Sequence, residues 1–266
     1  MKLARVEYQG ESVVCLVKDE GLVPVGIGDV IKYSEKTFET DLLKPDEVTF
    51  LPPIENPSKI LCVGTNYKKH ILETHSEMPT VPVIFSKFNS ALAGHNCIVN
   101  PPIMTKKLDY EAELVLIIGK DCRNVSEDEA LDCLFGVTCG NDVSARDLQK
   151  RTSQWLVGKT PDGFAPVGPY VVTADSIDPQ HLEIYCRLNG ELRQHSNTSD
   201  MIFSCACIIS YLSKIFMLHK GDMIFTGTPD GVILGMEDPV WLQKGDVAEV
   251  TIEGIGTLCC TIGDSI

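Results

Sequence analysis

The segment Asp109-Tyr110-Glu111-Ala112-Glu113-Leu114-Val115-Leu116-Ile117-Ile118-Gly119 changes from acidic to apolar and predicts a strand that enters the core. Side chains alternate between the two faces of a strand, so Glu111 and Glu113 point the same way as Val115 and Ile117. Two carboxylates on an inward-facing row need compensation, because burying an unpaired charge is costly. The segment therefore predicts a buried polar site on a central strand.

Short apolar runs separated by Gly, Pro, Asn and Asp dominate the chain around this segment. Many short strands without regular βαβ alternation favour a compact, β-rich α+β fold over a doubly wound sheet. Two helical segments interrupt the strands, over residues 126–134 and 204–216. We predict strands over residues 60–63, 83–85, 112–118, 170–173, 182–188, 222–226 and 247–252.

The N-terminal part of the chain has a different pattern. A turn at Gln9-Gly10 joins two short β-type segments and indicates a hairpin, whereas residues 29–43 suit a short helix. Residues 51–57, Leu-Pro-Pro-Ile-Glu-Asn-Pro, are rigid and extended. We therefore predict a small N-terminal domain over residues 1–55 and a main domain over residues 56–266.

The charge of the chain narrows the class of partner. The formal net charge of the 266 residues is −14, which repels phosphate backbones and anionic membrane surfaces. We therefore expect neither nucleic acid nor a membrane as a partner, and an acidic substrate would need a local positive charge such as a bound cation. Since the sequence has no signal-peptide pattern and no apolar run of about 18 residues, we expect a cytoplasmic protein.

The 11 cysteines are scattered, and no two have Cys-x-x-Cys spacing. A zinc ribbon is therefore not expected. Many of them lie in apolar segments, as Cys62 does, so we predict buried, reduced thiols that pack as small hydrophobic groups.

A third carboxylate, Asp142, follows an apolar run and could join Glu111 and Glu113. Three carboxylates without a nearby His or Cys form a hard oxygen site, which suits Mg²⁺ or Mn²⁺ and, less specifically, Ca²⁺. The spacing alone leaves an alternative open, in which the two glutamates lie on a solvated face and Asp142 caps a helix.

A possible acid-base pair lies earlier in the chain. His70 and Glu73 are three residues apart, so on a helix they share a face and Glu73 can orient His70. A carboxylate on one imidazole nitrogen fixes the tautomer and raises the basicity of the other nitrogen. The spacing is equally compatible with an ordinary exposed pair on a surface helix.

Several motifs, in order, resemble the signature of the fumarylacetoacetate hydrolase family. The resemblance runs from about residue 60 to the C-terminus. Its motifs are Asp109-Tyr110-Glu111-Ala112-Glu113, Asn141-Asp142-Val143-Ser144-Ala145-Arg146-Asp147-Leu148-Gln149, Gly158-Lys159, Phe164-Ala165-Pro166-Val167-Gly168-Pro169, Asn197-Thr198-Ser199-Asp200-Met201-Ile202-Phe203 and Gly221-Asp222-Met223-Ile224-Phe225-Thr226-Gly227-Thr228-Pro229.

The resemblance implies a catalytic domain built on a rolled, mixed β-sheet, preceded in some relatives by a small N-terminal domain. It also implies Mg²⁺ or Mn²⁺ on Glu111, Glu113 and Asp142, and a homodimer. His70 and Glu73 would be the water-activating pair on a lid helix.

Further site residues follow from the same resemblance. Lys159 would stabilise developing negative charge on the substrate, as preorganised cations do in enzymes. Gln149, Thr228 and Lys87 would contact the substrate or lie near it. Each could instead be an ordinary structural residue.

The activity that the resemblance favours is metal-dependent hydrolysis of a carbon–carbon bond in a small 1,3-dicarbonyl 2-oxo acid, such as an acylpyruvate. Relatives of the acylpyruvase type carry Arg at the position of Thr65, and the loop between Gln149 and Trp155 is short here. Three alternatives on the same metal site therefore stay open: oxaloacetate decarboxylation or tautomerisation, isomerisation or decarboxylation of 2-hydroxyhepta-2,4-diene-1,7-dioate, and a relative that binds without catalysing.

Overall fold

A large mixed β-sheet forms the centre of the computed structural model, which describes residues 1–40 and 42–266. Its strand order is β4-β3-β2-β1-β14-β12-β11-β17-β6-β7, with β5 beside β1 and β8 beside β14. The strands of the chain are β1 (Lys2–Tyr8), β2 (Glu11–Lys18), β3 (Gly21–Ile27), β4 (Ser34–Glu35), β5 (Thr49–Phe50), β6 (Ile60–Gly64), β7 (Val83–Lys87), β8 (Leu92–Ala93), β9 (Cys97–Val99), β10 (Leu108–Asp109), β11 (Ala112–Ile118), β12 (Leu134–Asn141), β13 (Ser144–Ala145), β14 (Ala165–Thr173), β15 (Glu183–Leu188), β16 (Glu191–Asn197), β17 (Met223–Phe225), β18 (Val247–Ile252) and β19 (Gly256–Ile262).

Helices are short and lie between these strands. The α-helices are α1 (Lys68–Glu73), α2 (Glu127–Ala130), α3 (Arg146–Gln149), α4 (Leu156–Lys159) and α5 (Cys205–Ile215). Single turns of 3-10 helix occupy Asn89–Ala91, Leu131–Cys133, Ala174–Ser176, Thr198–Asp200 and Ile233–Gly235. The predicted β-rich α+β class is confirmed. No helix within residues 1–40 and 42–266 is long and apolar enough to cross a membrane.

A second sheet, with the order β16-β15-β18-β19-β9, packs against the first. The larger hydrophobic cluster includes side chains from α5, from the second sheet and from one face of β11, where Leu114 and Leu116 lie. The opposite face of β11, with Val115 and Ile117, belongs to a separate cluster. Strand β11 is therefore buried on both faces, as its apolar second half predicts.

The N-terminal strands extend the main sheet. Strand β1 pairs with β14 in antiparallel register, with Ala4 opposite Tyr170, and β2 and β3 continue the sheet from there. The pairing of β1 with β14 places residues from both predicted domains in one sheet. The domain boundary at residue 55 therefore stays a prediction.

The predicted helix over residues 29–43 is wrong for the described residues. Residues 34–35 form β4, which pairs with β3, and Leu43 forms a bridge with Leu22. Pairing with the hairpin satisfies backbone groups that a helix would otherwise satisfy internally. Residue 41 lies outside the described residues.

The cysteines agree with the prediction of reduced thiols. All 11 are free, and most are buried. Burial raises the pKa of the thiols of Cys15 and Cys139 to about 12, so both are protonated at neutral pH.

Candidate active site

Antiparallel pairing of β11 with β12 brings the three predicted metal ligands together. Glu113 is opposite Gly140, and the backbone N–H of Asp142 donates to the carbonyl of Glu111 at 2.9 Å. One carboxylate oxygen of each acidic residue lies within 4.8 Å of the others, and all three residues are buried. The alternative with Glu111 and Glu113 on a solvated face is therefore excluded.

Two lysines approach this carboxylate cluster from α4 and β7. Lys159 Nζ donates to Glu111 Oε2 at 2.7 Å and to Asp142 Oδ2 at 2.9 Å. Lys87 Nζ lies 2.6 Å from Asp142 Oδ1 and donates to the carbonyl oxygens of Lys159 and Phe164. Lys87 therefore ties the segment that carries Lys159 to the acidic cluster.

Arg146, the first residue of α3, completes the buried charges. Its Nη1 lies 2.7 Å from Glu111 Oε1 and donates to Gln149 Oε1 at 3.1 Å, and its Nε donates to Asp109 Oδ2 at 2.8 Å. Burial opposes ionisation of Glu111, but Lys159 and Arg146 outweigh it and hold the pKa of Glu111 well below its ordinary value. Glu111 is therefore ionised at neutral pH.

Glu113 is in a different electrostatic position. Burial, together with the neighbouring carboxylates Asp142 and Glu111, raises the pKa of Glu113 well above its ordinary value. Its Oε2 accepts a hydrogen bond from the backbone N–H of Gly227 at 2.7 Å. Gly227 has a φ of +98°, a conformation that favours glycine.

The donor set fits a divalent cation. Asp142 Oδ1 is buried and has no hydrogen-bond donor with suitable geometry, although the Lys87 ammonium is close by. Three carboxylate oxygens offer the hard ligands that Mg²⁺, Mn²⁺ and Ca²⁺ take. A cation at this point would also offset the repulsion that raises the pKa of Glu113.

The predicted acid-base pair lies on α1. His70 Nδ1 is 2.9 Å from Glu73 Oε1, and His70 is buried. Because an ionised carboxylate only accepts, Nδ1 carries the proton and Nε2 is left as the basic nitrogen. The second oxygen of Glu73 accepts from the backbone N–H of Gly231 at 2.9 Å. Both ends of the pair are therefore fixed.

The carboxylate cluster and the His70–Glu73 pair meet at one cleft. The cleft holds about 100 Å³, less than the roughly 300–1,000 Å³ of sites for drug-sized ligands. Its walls include Trp155 and Phe85, whose rings pack edge to face. Val63, Gly64 and Leu234 also line the cleft. The other lining residues are polar or charged: Thr65, His70, Thr74, Ser76, Glu111, Glu113, Arg146, Gln149, Lys150, Lys159 and Thr228.

The structure thus brings most of the predicted site residues together. Gln149 and Thr228 line the cleft, and Thr228 also accepts a hydrogen bond from Gln194 at 2.9 Å. Lys87 does not line the cleft and instead contacts Asp142 from behind. The roles of these residues in substrate binding stay predictions.

Arg146 and Lys150 lie at the cleft but are absent from the predicted site residues. The contact of Arg146 with Glu111 joins residues 35 positions apart, and it becomes visible only when β11 and α3 are placed. The position of Arg146 inside a motif of the family was the available signal. Nothing in the local sequence marks Lys150.

Comparisons with known proteins identify the family of the chain. The family model described as the fumarylacetoacetate (FAA) hydrolase C-terminal matches residues 59–263. A mitochondrial oxaloacetate tautomerase of Xenopus laevis is 39% identical over 261 residues, which are 94% of this chain and 82% of that protein.

Solved structures extend the likeness to the fold. A fumarylacetoacetate hydrolase from Exiguobacterium antarcticum is 36% identical, with a TM-score of 0.89 over 99% of both chains. A 2-hydroxyhepta-2,4-diene-1,7-dioate isomerase from Mycobacterium marinum is 35% identical, with a TM-score of 0.85 over 99% of this chain and 98% of that one. The predicted fold is confirmed, and the chain belongs to the fumarylacetoacetate hydrolase family.

Proposed function

We propose that the chain is an enzyme that interconverts the keto and enol forms of oxaloacetate or a closely similar 2-oxo dicarboxylic acid. The observation that carries this proposal is the meeting of a buried carboxylate cluster with a fixed His–Glu pair in one small cleft. The likeness to the Xenopus laevis oxaloacetate tautomerase, over most of both chains, supports the choice of reaction.

The size of the cleft supports a small substrate. Its volume of about 100 Å³ suits a four-carbon acid better than the seven-carbon substrate named for the Mycobacterium marinum isomerase. The lining combines apolar side chains with charged and hydroxyl groups, which suits a small molecule that carries oxygen-bearing groups on a carbon chain.

A divalent cation on Glu111, Glu113 and Asp142 would supply Lewis acidity to the 2-oxo group and offset the charge of the adjacent carboxylate. We propose Mg²⁺ or Mn²⁺, since carboxylate ligands suit both, with Ca²⁺ as a weaker substitute. The remaining chemistry belongs to side chains of the chain itself.

His70 is the proposed base for the proton on C3 of the substrate. With Nδ1 bound to Glu73, His70 Nε2 takes the C3 proton, and the C–H electrons form the C2–C3 double bond as the C2 oxygen gains negative charge. Return of one proton to that oxygen gives the enol, so the reaction only moves a proton. The reverse sequence gives the keto acid.

Lys159 is the proposed stabiliser of the negative charge on the C2 oxygen. Its ammonium is buried between Glu111 and Asp142. Burial opposes ionisation of Lys159, but these two carboxylates outweigh it and raise the pKa of the ammonium. Lys159 therefore stays protonated and can donate a charge-assisted hydrogen bond.

Hydrolysis of an acylpyruvate is the second candidate, because the same His70–Glu73 pair can activate water. Water would add to the distal carbonyl carbon, and the bond between that carbon and C3 would break to give pyruvate and a carboxylic acid. The solved Exiguobacterium antarcticum relative is named a hydrolase.

A turnover assay separates the two reactions. Oxaloacetate, acetylpyruvate and fumarylpyruvate are compared with metal-stripped and Mg²⁺- or Mn²⁺-supplemented protein, for the wild type, His70→Ala and His75→Asn. His75 is an exposed residue two positions after Glu73, with a φ of +53° that asparagine tolerates.

We expect metal-dependent loss of the oxaloacetate enol absorbance, decreased about 10²- to 10⁴-fold by His70→Ala and unchanged by His75→Asn. Acylpyruvate cleavage without enol conversion would instead establish the hydrolase. Equal rates for the wild type and His70→Ala on oxaloacetate would overturn the role of His70.

We also propose a homodimer and a cytoplasmic location. The dimer follows from the family resemblance and is tested by light scattering on the purified chain. The Xenopus laevis relative is named as mitochondrial, so fractionation of cells that express the chain tests the location.

A further inference from the structure

Lys150 differs from the other cations at the cleft in having no acidic partner. Lys159 and Arg146 also line the cleft, and both are bound to carboxylates of the buried cluster. Among residues 1–40 and 42–266, no carboxylate lies within salt-bridge distance of Lys150 Nζ. Lys150 is therefore the cation at the cleft that the described carboxylates do not already hold.

The charges around the cleft favour an anionic ligand when a divalent cation is bound. With a divalent cation bound and every group ionised, the buried cluster has four negative and five positive charges, a balance of one positive charge. Lys150 adds one positive charge and the ionised Glu73 of the His70–Glu73 pair adds one negative charge, so the balance at the cleft stays at one positive charge. The groups counted are Asp109, Glu111, Glu113, Asp142, Lys87, Arg146 and Lys159.

The surroundings of Lys150 favour an anion. Partial burial, together with the positive charges of Arg146 and Lys107, lowers the pKa of Lys150, and these two neighbouring charges attract an anion. The hydroxyl group of Thr65 lines the same cleft and can donate a hydrogen bond to a carboxylate.

We propose that Lys150 binds the distal carboxylate of the substrate and so selects 2-oxo dicarboxylic acids over monocarboxylic ones. This inference rests on the proposed function for the identity of the substrate. It follows from the place of Lys150 on the cleft and from the engagement of the other cations there.

Titration calorimetry with two inert ligands tests the proposal. Malate and lactate share a 2-hydroxy carboxylate, but malate alone has a distal carboxylate. Their dissociation constants are measured on the Mg²⁺-loaded wild type and on Lys150→Ala, Lys150→Arg and Lys107→Ala. Lys107 lies outside the cleft, with Nζ 5.8 Å from the Trp241 ring centroid, and controls for loss of a nearby positive charge.

We expect Lys150→Ala to weaken malate binding about tenfold and to leave lactate binding within about twofold. Lys150→Arg should retain most of the malate affinity, and Lys107→Ala should weaken malate binding by less than about twofold, since Lys107 lies outside the cleft. No malate binding to the wild type, or an equal change for both ligands, would overturn the inference. If Lys150→Ala weakens malate binding alone but the wild type does not turn over oxaloacetate, only the tautomerase proposal is overturned.

Discussion

The carboxylate cluster and the His70–Glu73 pair share one cleft but are held in different ways. The cluster lies where β11 begins and β12 ends, in the main sheet, and its carboxylates contact Lys87, Lys159 and Arg146. The pair lies on α1, a helix of six residues, which is too short to be stable alone. The site therefore combines a charged floor, which is the carboxylate cluster of Glu111, Glu113 and Asp142, with a short helix whose stability depends on contacts with neighbouring segments.

The contacts that hold α1 come from two loops, one before α5 and one after β17. Asn66, just before the helix, donates to the carbonyl of Thr226 at 2.7 Å and accepts from the N–H of Phe203 at 2.8 Å. Glu73, the last helical residue, accepts from Gly231. The comparison indicates that changes in the cluster affect cation binding, whereas changes in these loops affect proton transfer.

Among changes that leave His70 in place, the largest expected effect comes from the cluster. Glu113→Gln removes one negative ligand while keeping the shape of the side chain, so we expect loss of tight Mn²⁺ binding and a decrease in kcat/KM of about 10³-fold. Calorimetric titration of Mn²⁺ and turnover assays measure the two effects. Glu237→Gln, at an exposed position, serves as the control. Unchanged Mn²⁺ affinity in Glu113→Gln would contradict the assignment of Glu113 as a metal ligand.

A smaller effect is expected where the loop holds Glu73. A Cβ at Gly235 would lie 2.7 Å from Glu73 Oε2, so Gly235→Ala should displace the end of that flexible side chain and misalign His70. We expect kcat to fall about 10- to 100-fold, with Mn²⁺ affinity and the melting temperature nearly unchanged. A matching loss of Mn²⁺ affinity in Gly235→Ala would show that the carboxylate cluster and α1 are not independent.

The smallest expected effect is on stability against pH. In metal-stripped protein, burial and the carboxylates Asp142 and Glu111 raise the pKa of Glu113 well above 4.5. The folded state then holds this proton more tightly than the unfolded state. Its contribution to stability is complete below about pH 4.5 and is lost as the pH rises toward the raised pKa.

Across that window, the melting temperature of the metal-stripped wild type should fall by a few degrees relative to Glu113→Gln. Calorimetric scans of both proteins at a series of pH values measure the difference. Parallel profiles would show that Glu113 is not the titrating group.

The sequence predicted the floor of the site better than its surroundings. Alternation along residues 109–119 placed Glu111 and Glu113 on one inward row because strand geometry is local. The failed helix over residues 29–43 had weak apolar spacing, and pairing with β3 decided its structure. The contact between Arg146 and Glu111, and the place of Lys150 on the cleft, depend on how distant segments pack, which no local pattern encodes.

The most direct test of the central claim is a crystal structure with Mn²⁺ and oxalate, phased near the manganese absorption edge. The account predicts an anomalous peak among the carboxylates of Glu111, Glu113 and Asp142, with oxalate bound beside it within reach of His70 Nε2. A peak at another position, or oxalate bound away from His70, would contradict the account.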